Sequence, residues 1–282
     1  MNSAVEIMLQ RYHGDDRVSR ERALREIIQE IVLVGLWRTS FFHHAAFYGG
    51  TALRILYGLD RFSENLDFTL LKPNANFHWQ PFERPIIEEL AGYGFEVSLI
   101  EQEKKVITPI RSAFLKANTF QELIKIGVGK HNLIGFHPDT ILRIKIEIDT
   151  SPSVNYAVEE RMLKVPLNGY VSVVTLQHLF AAKLHCAFFR VWKNRVKGRD
   201  WYDVVWFIRN KVPLSLELFS RHLGEERTLS KLEFLTLTDE RMSLLRIDDA
   251  KRDVAPFIYD RSLVERWSPT FFREIFQDIT YE

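Results

Sequence analysis

The stretch Phe47-Tyr48-Gly49-Gly50-Thr51-Ala52-Leu53-Arg54, followed closely by Arg61-Phe62-Ser63-Glu64-Asn65-Leu66-Asp67-Phe68, constrains this chain more than any other. An apolar run ends in two glycines, a short helical pattern follows, and an acidic segment then enters a second apolar run. Two adjacent glycines let backbone approach a phosphate without interference from a Cβ. A helix that starts just after them aims unpaired N–H groups at an anion. A carboxylate at a strand edge a few residues on suits the Mg²⁺ that a phosphate brings with it. Taken alone, a double glycine is equally a tight turn between strand and helix, and Asp67 equally a polar strand-edge residue.

The bulk numbers bound the class. The 282 residues suffice for one large domain or two ordinary ones. Hydrophobic residues at 46% and charged residues at 27% describe a folded chain, not a disordered one. With 38 basic against 37 acidic residues, only local clusters can speak for nucleic acid. The single cysteine, Cys186, excludes an intramolecular disulfide, fits a reducing cytoplasm, and lies in an apolar helical pattern as an inert core thiol does. Met1 to Arg20 carries mixed charge without the apolar stretch of a signal peptide, and no run approaches the ~20 apolar residues of a membrane span. The expectation is a cytoplasmic protein with no membrane partner.

Periodicity predicts a helix over Arg17 to Trp37, with Gly35 weakening its end, and a buried strand over Phe41 to Tyr48. Thr51 is placed to cap a helix from Ala52 to Tyr57. Strands are expected at Leu66 to Leu71, Phe95 to Ile100 and Ile141 to Asp149, and a helix at Trp79 to Tyr93 stopped by Gly94. Ser112 to Lys116 and Ile124 to Val128 give no clear signal. From about Val173 the pattern is helical throughout, with helices at Leu176 to Arg190, Asp200 to Asn210, Leu216 to Leu223, Ser230 to Leu237 and Phe271 to Phe276. The expected fold is α+β: a mixed sheet with flanking helices over 1–160, then a mainly helical domain over 161–282.

Several residue groups could carry chemistry. Asn65 and Asp67, two apart on a strand, share a face as metal ligands do. Glu147 shares a face with Lys145 and Asp149; it completes a carboxylate cluster if its strand lies beside that of Asp67, or else belongs to a solvated charge row. Lys183 interrupts an apolar helical run, where a lysine either snorkels to solvent or reaches a phosphate. Arg190, Lys193, Arg195, Lys197 and Arg199 form the strongest basic cluster, able to neutralise a triphosphate or an RNA backbone, or simply to line a solvated loop. Asp200 after Gly198-Arg199 is either a site acid or an N-cap. No phosphate-binding GxxxxGK[ST] loop, GxGxxG, HExxH or GxSxG occurs, and His43-His44 has no partner at zinc-ligand spacing.

In combination these residues resemble the AbiEii/AbiGii family of toxin nucleotidyltransferases. Gly49 to Arg54 resembles the family's GG-[ST]-x-L-R motif and Arg61 to Phe68 its R-x-S-x-D-x-D-[FL] motif. Lys183 falls where the family has a helix lysine, and Arg199-Asp200-Trp201-Tyr202-Asp203 resembles its R-D-x-x-D motif; order and spacing agree from Tyr48 to Phe207. The resemblance implies a nucleotidyltransferase fold in which the helical domain contributes Lys183 and Asp200 to the cleft. It implies transfer of a nucleotide from an NTP to an acceptor, tRNA in some members, with Mg²⁺ (or Mn²⁺) as cofactor. It further implies membership of a phage-defence or toxin–antitoxin system with a winged-helix antitoxin as partner.

By the same resemblance Asp67, Lys183 and Asp200 are catalytic, with Asp200 a candidate base. Gly49, Gly50, Thr51, Arg54, Ser63 and Arg199 hold the nucleotide, and Asp67, Asn65 and Glu147 hold the metal. Asn65 departs from the family pattern, which has the first aspartate of D-x-D there; an amide offers one oxygen to Mg²⁺ but no charge. Two rival readings follow: a catalytically weakened nucleotide-binding or regulatory relative, and a phosphotransferase acting on a partner protein.

Overall fold

The computed structural model describes residues 3–12, 14, 16–102, 108–119, 121–122, 137, 139–190 and 196–282. The chain divides into two units, one of residues 1–57, 63–152 and 158–173, the other of residues 58–62, 153–157 and 174–282. Lys193, Arg195 and the segment Ile124 to Val128 lie outside the described residues.

The first unit is built on a seven-stranded mixed sheet. Its strands are β1 (Ala45–Tyr48), β2 (Leu66–Leu70), β3 (Val97–Gln102), β4 (Ile110–Asn118), β5 (Ile141–Asp149), β6 (Val158–Leu163) and β7 (Gly169–Val174), in the order β3-β4-β5-β2-β1-β7-β6. β2 runs parallel to β5 and antiparallel to β1, while β1 pairs with β7 in parallel. Helices α1 (Ser3–Leu9), α2 (Arg17–Trp37), α3 (Gly49–Tyr57) and α4 (Gln80–Gly92) accompany the sheet.

The expected helix over 17–37 forms in full, with Asp16 as N-cap accepting from the Val18 and Ser19 amides. Gly35 does not end it. A Cβ there would lie 3.1 Å from Ile86 Cα and 3.2 Å from the Pro85 carbonyl, so glycine is what lets α4 pack against α2. Aromatic side chains gather on Phe41, whose ring meets Phe68 edge-on at 5.0 Å and stacks on Trp79 at 5.8 Å. Phe41 itself lies in a short 3₁₀ turn (Phe41–His43), so the strand predicted from Phe41 begins only at Ala45.

Two strands run where a helical domain was expected to begin. β6 and β7 fill 158–174, and the helical run starts at Leu176. β6 reads Val-Glu-Glu-Arg-Met-Leu, lies at the sheet edge and buries only Leu163, so its sequence shows no alternation of apolar and polar residues.

The second unit is helical: α5 (Leu176–Phe189), α6 (Gly198–Arg209), α7 (Leu216–His222), α8 (Lys231–Leu244), α9 (Ile247–Val254), α10 (Ser262–Glu265) and α11 (Pro269–Gln277). Phe180 of α5 stacks on Phe207 of α6 at 4.8 Å, and Trp201 meets Phe272 of α11 edge-on at 5.4 Å. α8 runs seven residues past its predicted end. Its capping box is the reciprocal pair Ser230 and Glu233. The segment 58–62 joins this unit through an antiparallel bridge between Arg61 and Ile258 and a 2.7 Å bond from the Phe62 amide to the Phe257 carbonyl. Among the described residues no helix is long and apolar enough to cross a membrane.

Candidate functional site

In the sheet unit, the register of four strands sets one row of polar side chains. Tyr48 of β1 pairs with Asp67 of β2, Asp67 with Glu147 of β5, and Glu147 with Ser112 of β4. The neighbours of this row along each strand, Phe47, Phe68, Ile146 and Ile148, point to the opposite face and are fully buried. The two carboxylates named from sequence are thus adjacent on one face of a parallel pair; the alternation of β5 gave the face of Glu147, and the strand pairing supplies its neighbour.

Gly49 brings the start of α3 against this row. It ends β1 with φ +80°, and a Cβ built there would lie 3.0 Å from Asp67 Oδ2. Glycine is therefore required twice, by its left-handed backbone and by the close approach of the helix start to the carboxylate. α3 begins at Gly49 itself, so Thr51 lies inside the first turn and is not its cap, as sequence had suggested. Thr51 is fully buried; its hydroxyl lies 2.7 Å from Ser63 Oγ and also bonds the Asn65 carbonyl. A carbonyl only accepts, so Thr51 donates to Asn65. Thr51 and Ser63 thus join the double-glycine motif to the acidic one.

Asn65 precedes β2, which starts at Leu66, so the period-two argument that paired it with Asp67 does not govern it. What holds Asn65 in place is the Thr51 bond to its carbonyl. Arg54 is paired through Nε with the buried Glu26 of α2, at 3.0 Å. Gln29, one turn on, donates to the Ser63 carbonyl at 3.3 Å. Sequence reasoning missed Glu26 and Gln29. Their signal was two polar residues spaced i, i+3 within an otherwise buried helix.

The oxygen donors of Asp67, Asn65 and Glu147 are the hard type that Mg²⁺ takes. Glu147 is already engaged, accepting from Ser112 Oγ at 2.9 Å and pairing with Lys145 Nζ at 2.7 Å. Among the described residues no group of three His, Cys, Asp or Glu side chains is arranged to hold a metal. The set nevertheless fits Mg²⁺, which commonly uses one or two carboxylates and completes its shell with water and substrate phosphate.

In the helical unit, Lys183 of α5 does not snorkel. Its Nζ is held 3.0 Å from Asp200 Oδ1 and 2.9 Å from Asp203 Oδ2, both on one face of α6. Asp203 is completely buried and also receives a two-pronged bond from Arg61, Nε to Oδ1 at 2.6 Å and Nη2 to Oδ2 at 2.7 Å. The remaining guanidinium arm of Arg61 donates to the Phe62 carbonyl at 2.8 Å. Arg61 and Asp203 stood in the quoted motifs without a role; here they anchor the lysine.

Electrostatics fix the protonation states of this cluster. Burial alone would lower the Lys183 pKa, but Asp203 and Asp200 outweigh it and hold the ammonium above the ordinary lysine value. Burial alone would raise Asp200, yet Lys183 and Lys197 hold it below the usual carboxylate range. Asp200 Oδ2 is buried and accepts no hydrogen bond among the described residues, with Arg190 Nη1 at 3.9 Å. Asp200 is the third residue of α6, whose N-cap is Lys197, so it is not the cap. Arg199 lies over the Phe257 ring at 4.0 Å. Burial and Asp200 push the Cys186 thiol above its ordinary value, which disfavours the reactive thiolate.

Solved structures share this fold. The crystal structure of JHP933 from Helicobacter pylori is similar at a TM-score of 0.52 and 16% identity, covering 90% of this chain and 89% of that one. MenT4, the nucleotidyltransferase toxin Rv2826c from Mycobacterium tuberculosis H37Rv, is similar at a TM-score of 0.55 and 16% identity, covering 99% and 89%. No curated protein matches the sequence. The family described as nucleotidyl transferase AbiEii toxin, type IV TA system, matches residues 31–275, which takes in both the Gly49 to Asp67 motifs and the Lys183–Asp200–Asp203 cluster. The chain belongs to the AbiEii family of nucleotidyl transferase toxins of type IV toxin–antitoxin systems.

Proposed function

We propose that this protein is a metal-dependent toxin that transfers a nucleotide from an NTP to an RNA acceptor, with tRNA as the acceptor class. The observation that carries the reading is the Asp67 carboxylate, set beside Glu147 by strand register and against the start of α3 by Gly49. Asp67, the Asn65 amide and Glu147 would hold Mg²⁺ or Mn²⁺, which when bound offsets charge on the phosphates and orients them.

The chain's own groups supply the rest. The first N–H groups of α3, at Gly49 and Gly50, face an anion with no Cβ in the way. Arg54, oriented by Glu26, adds positive charge. Lys183 is a permanent cation, held in position by two carboxylates, of the kind that phosphoryl transfer uses. Asp200, with its depressed pKa, is a poor proton acceptor. We therefore assign it to fixing Lys183 and to accepting a substrate hydroxyl on Oδ2. A type IV system implies an antitoxin; we propose a winged-helix protein in that role.

A weakened relative is favoured by one observation: Asn65 carries no charge while Glu147 is shared with Lys145 and Ser112. Titrating each NTP into wild type, Asp67→Ala and Asn65→Asp at a series of Mg²⁺ concentrations tests the assignment. Asp67→Ala should lose the Mg²⁺ dependence of NTP binding with an unchanged unfolding midpoint, and Asn65→Asp should lower the Mg²⁺ required. Equal Mg²⁺ dependence in wild type and Asp67→Ala would remove Asp67 from the site.

A further inference from the structure

The helical unit contains a cavity of about 180 Å³ lined by Cys186 and Arg190 at the end of α5, Lys197 and Trp201 at the start of α6, and Arg241 of α8. Three cations face it, and among the described residues none that lines it is acidic. Arg241 has Leu237, Thr238, Leu244 and Leu245 at the helical positions where a pairing carboxylate would stand. Its guanidinium lies 4.3 Å over the Phe189 ring, and its Nε is buried with no hydrogen-bond partner among the described residues. Burial depresses the Lys197 pKa, and Arg190, Lys183 and Arg199 add to that against Asp200. Crowded, partly desolvated cations of this kind are stabilised by an anion. Beside them the buried Oδ2 of Asp200 lies 3.9 Å from Arg190 Nη1 and accepts no hydrogen bond among the described residues.

We propose that this cavity binds a phosphate group of a nucleotide, with Arg241 as its anchor. Two sources share that chemistry, the polyphosphate tail of an NTP and a backbone phosphate of an RNA acceptor. Only the choice between them rests on the transferase reading above.

The test is equilibrium binding to the full chain of two probes, inorganic tripolyphosphate and a short single-stranded RNA, at two salt concentrations. Arg241→Gln should weaken one probe by about tenfold or more, the size of one charge-assisted contact, and Arg241→Lys should restore part of it. A loss confined to tripolyphosphate assigns the cavity to the NTP tail; a loss confined to RNA assigns it to the acceptor. Lys197→Gln, on a different helix, should weaken the same probe and carries the test if Arg241→Gln fails to fold. Wild-type affinity for both probes in Arg241→Gln and Lys197→Gln, or no binding of either by wild type, would overturn the proposal. Failure of nucleotide transfer with probe binding intact would instead count against the transferase reading and leave the phosphate site standing.

Discussion

Replacing Asp203 should expose how much of the helical unit rests on one buried carboxylate. Asp203 is fully buried, Arg61 is 2% exposed, and two short bonds join them; the same carboxylate accepts from Lys183 at 2.9 Å. Asp203→Ala strips a buried guanidinium of its hydrogen-bonded counter-charge, leaving it only the field of Asp200, and removes one of the two carboxylate partners of the Lys183 ammonium. Breaking a buried pair on one side costs about 3–5 kcal/mol, and service to two cations places this case toward the upper end. At a mid-range urea dependence this moves the unfolding midpoint by roughly 2 M. Tryptophan fluorescence is a suitable readout, because Trp192, Trp201, Trp206 and Trp267 fall within 174–282 and only Trp37 and Trp79 lie outside. The double variant Arg61→Met with Asp203→Leu should recover most of the loss, since apolar groups of similar volume can replace a buried pair at little cost. A cost below about 1 kcal/mol for Asp203→Ala, or a double variant no better than the single one, would refute the reasoning.

Other outcomes follow from single contacts. Gly198→Ala places a Cβ 1.9 Å from the Ala250 carbonyl, so α6 and α9 must separate; a loss of about 1–3 kcal/mol is expected by urea denaturation. Gly49→Ala meets both a φ of +80° and Asp67 Oδ2 at 3.0 Å; it should cost about 1–2 kcal/mol by thermal unfolding and reduce NTP binding. His222 stacks on His185 at 5.8 Å, and burial, with His185 and His178, lowers its pKa to about 4. The unfolded chain then binds a proton that the folded chain does not, so stability is full above the unfolded value near 6.5 and is lost as pH falls toward 4. With allowance for partial exposure, the loss is on the order of 1–2 kcal/mol, and His222→Leu should flatten that slope in pH-dependent urea melts.

How far the sequence could be read depended on where each signal came from. Local periodicity located α2, β2, β5 and, in the second unit, α5, α6, α7, α8 and α11 but not the short α9 and α10, and the alternation of β5 put Glu147 on the face that the Asp67 register then met. Charged edge residues hid β6, because an edge strand buries little and need not alternate. The helix start at Gly49 was displaced by two residues from the expected cap. A left-handed glycine opened the helix, and the Thr51 hydroxyl was taken by Ser63 and Asn65. Long-range pairing was invisible: nothing local links Arg61 to Asp203 or Arg54 to Glu26, and the roles of those arginines emerged only from the fold. Lys183 was noticed as an ammonium in an apolar run, but its two carboxylate partners lay on the following helix.

The most direct measurement is label transfer. Purified protein is incubated with Mg²⁺, each α-³²P-labelled NTP in turn and total tRNA, beside Asp67→Ala and Asn65→Asp. The account predicts label on tRNA from at least one NTP, lost in Asp67→Ala and kept or raised in Asn65→Asp. Label that persists unchanged in Asp67→Ala, or no label on tRNA from wild type and Asn65→Asp alike, would contradict it.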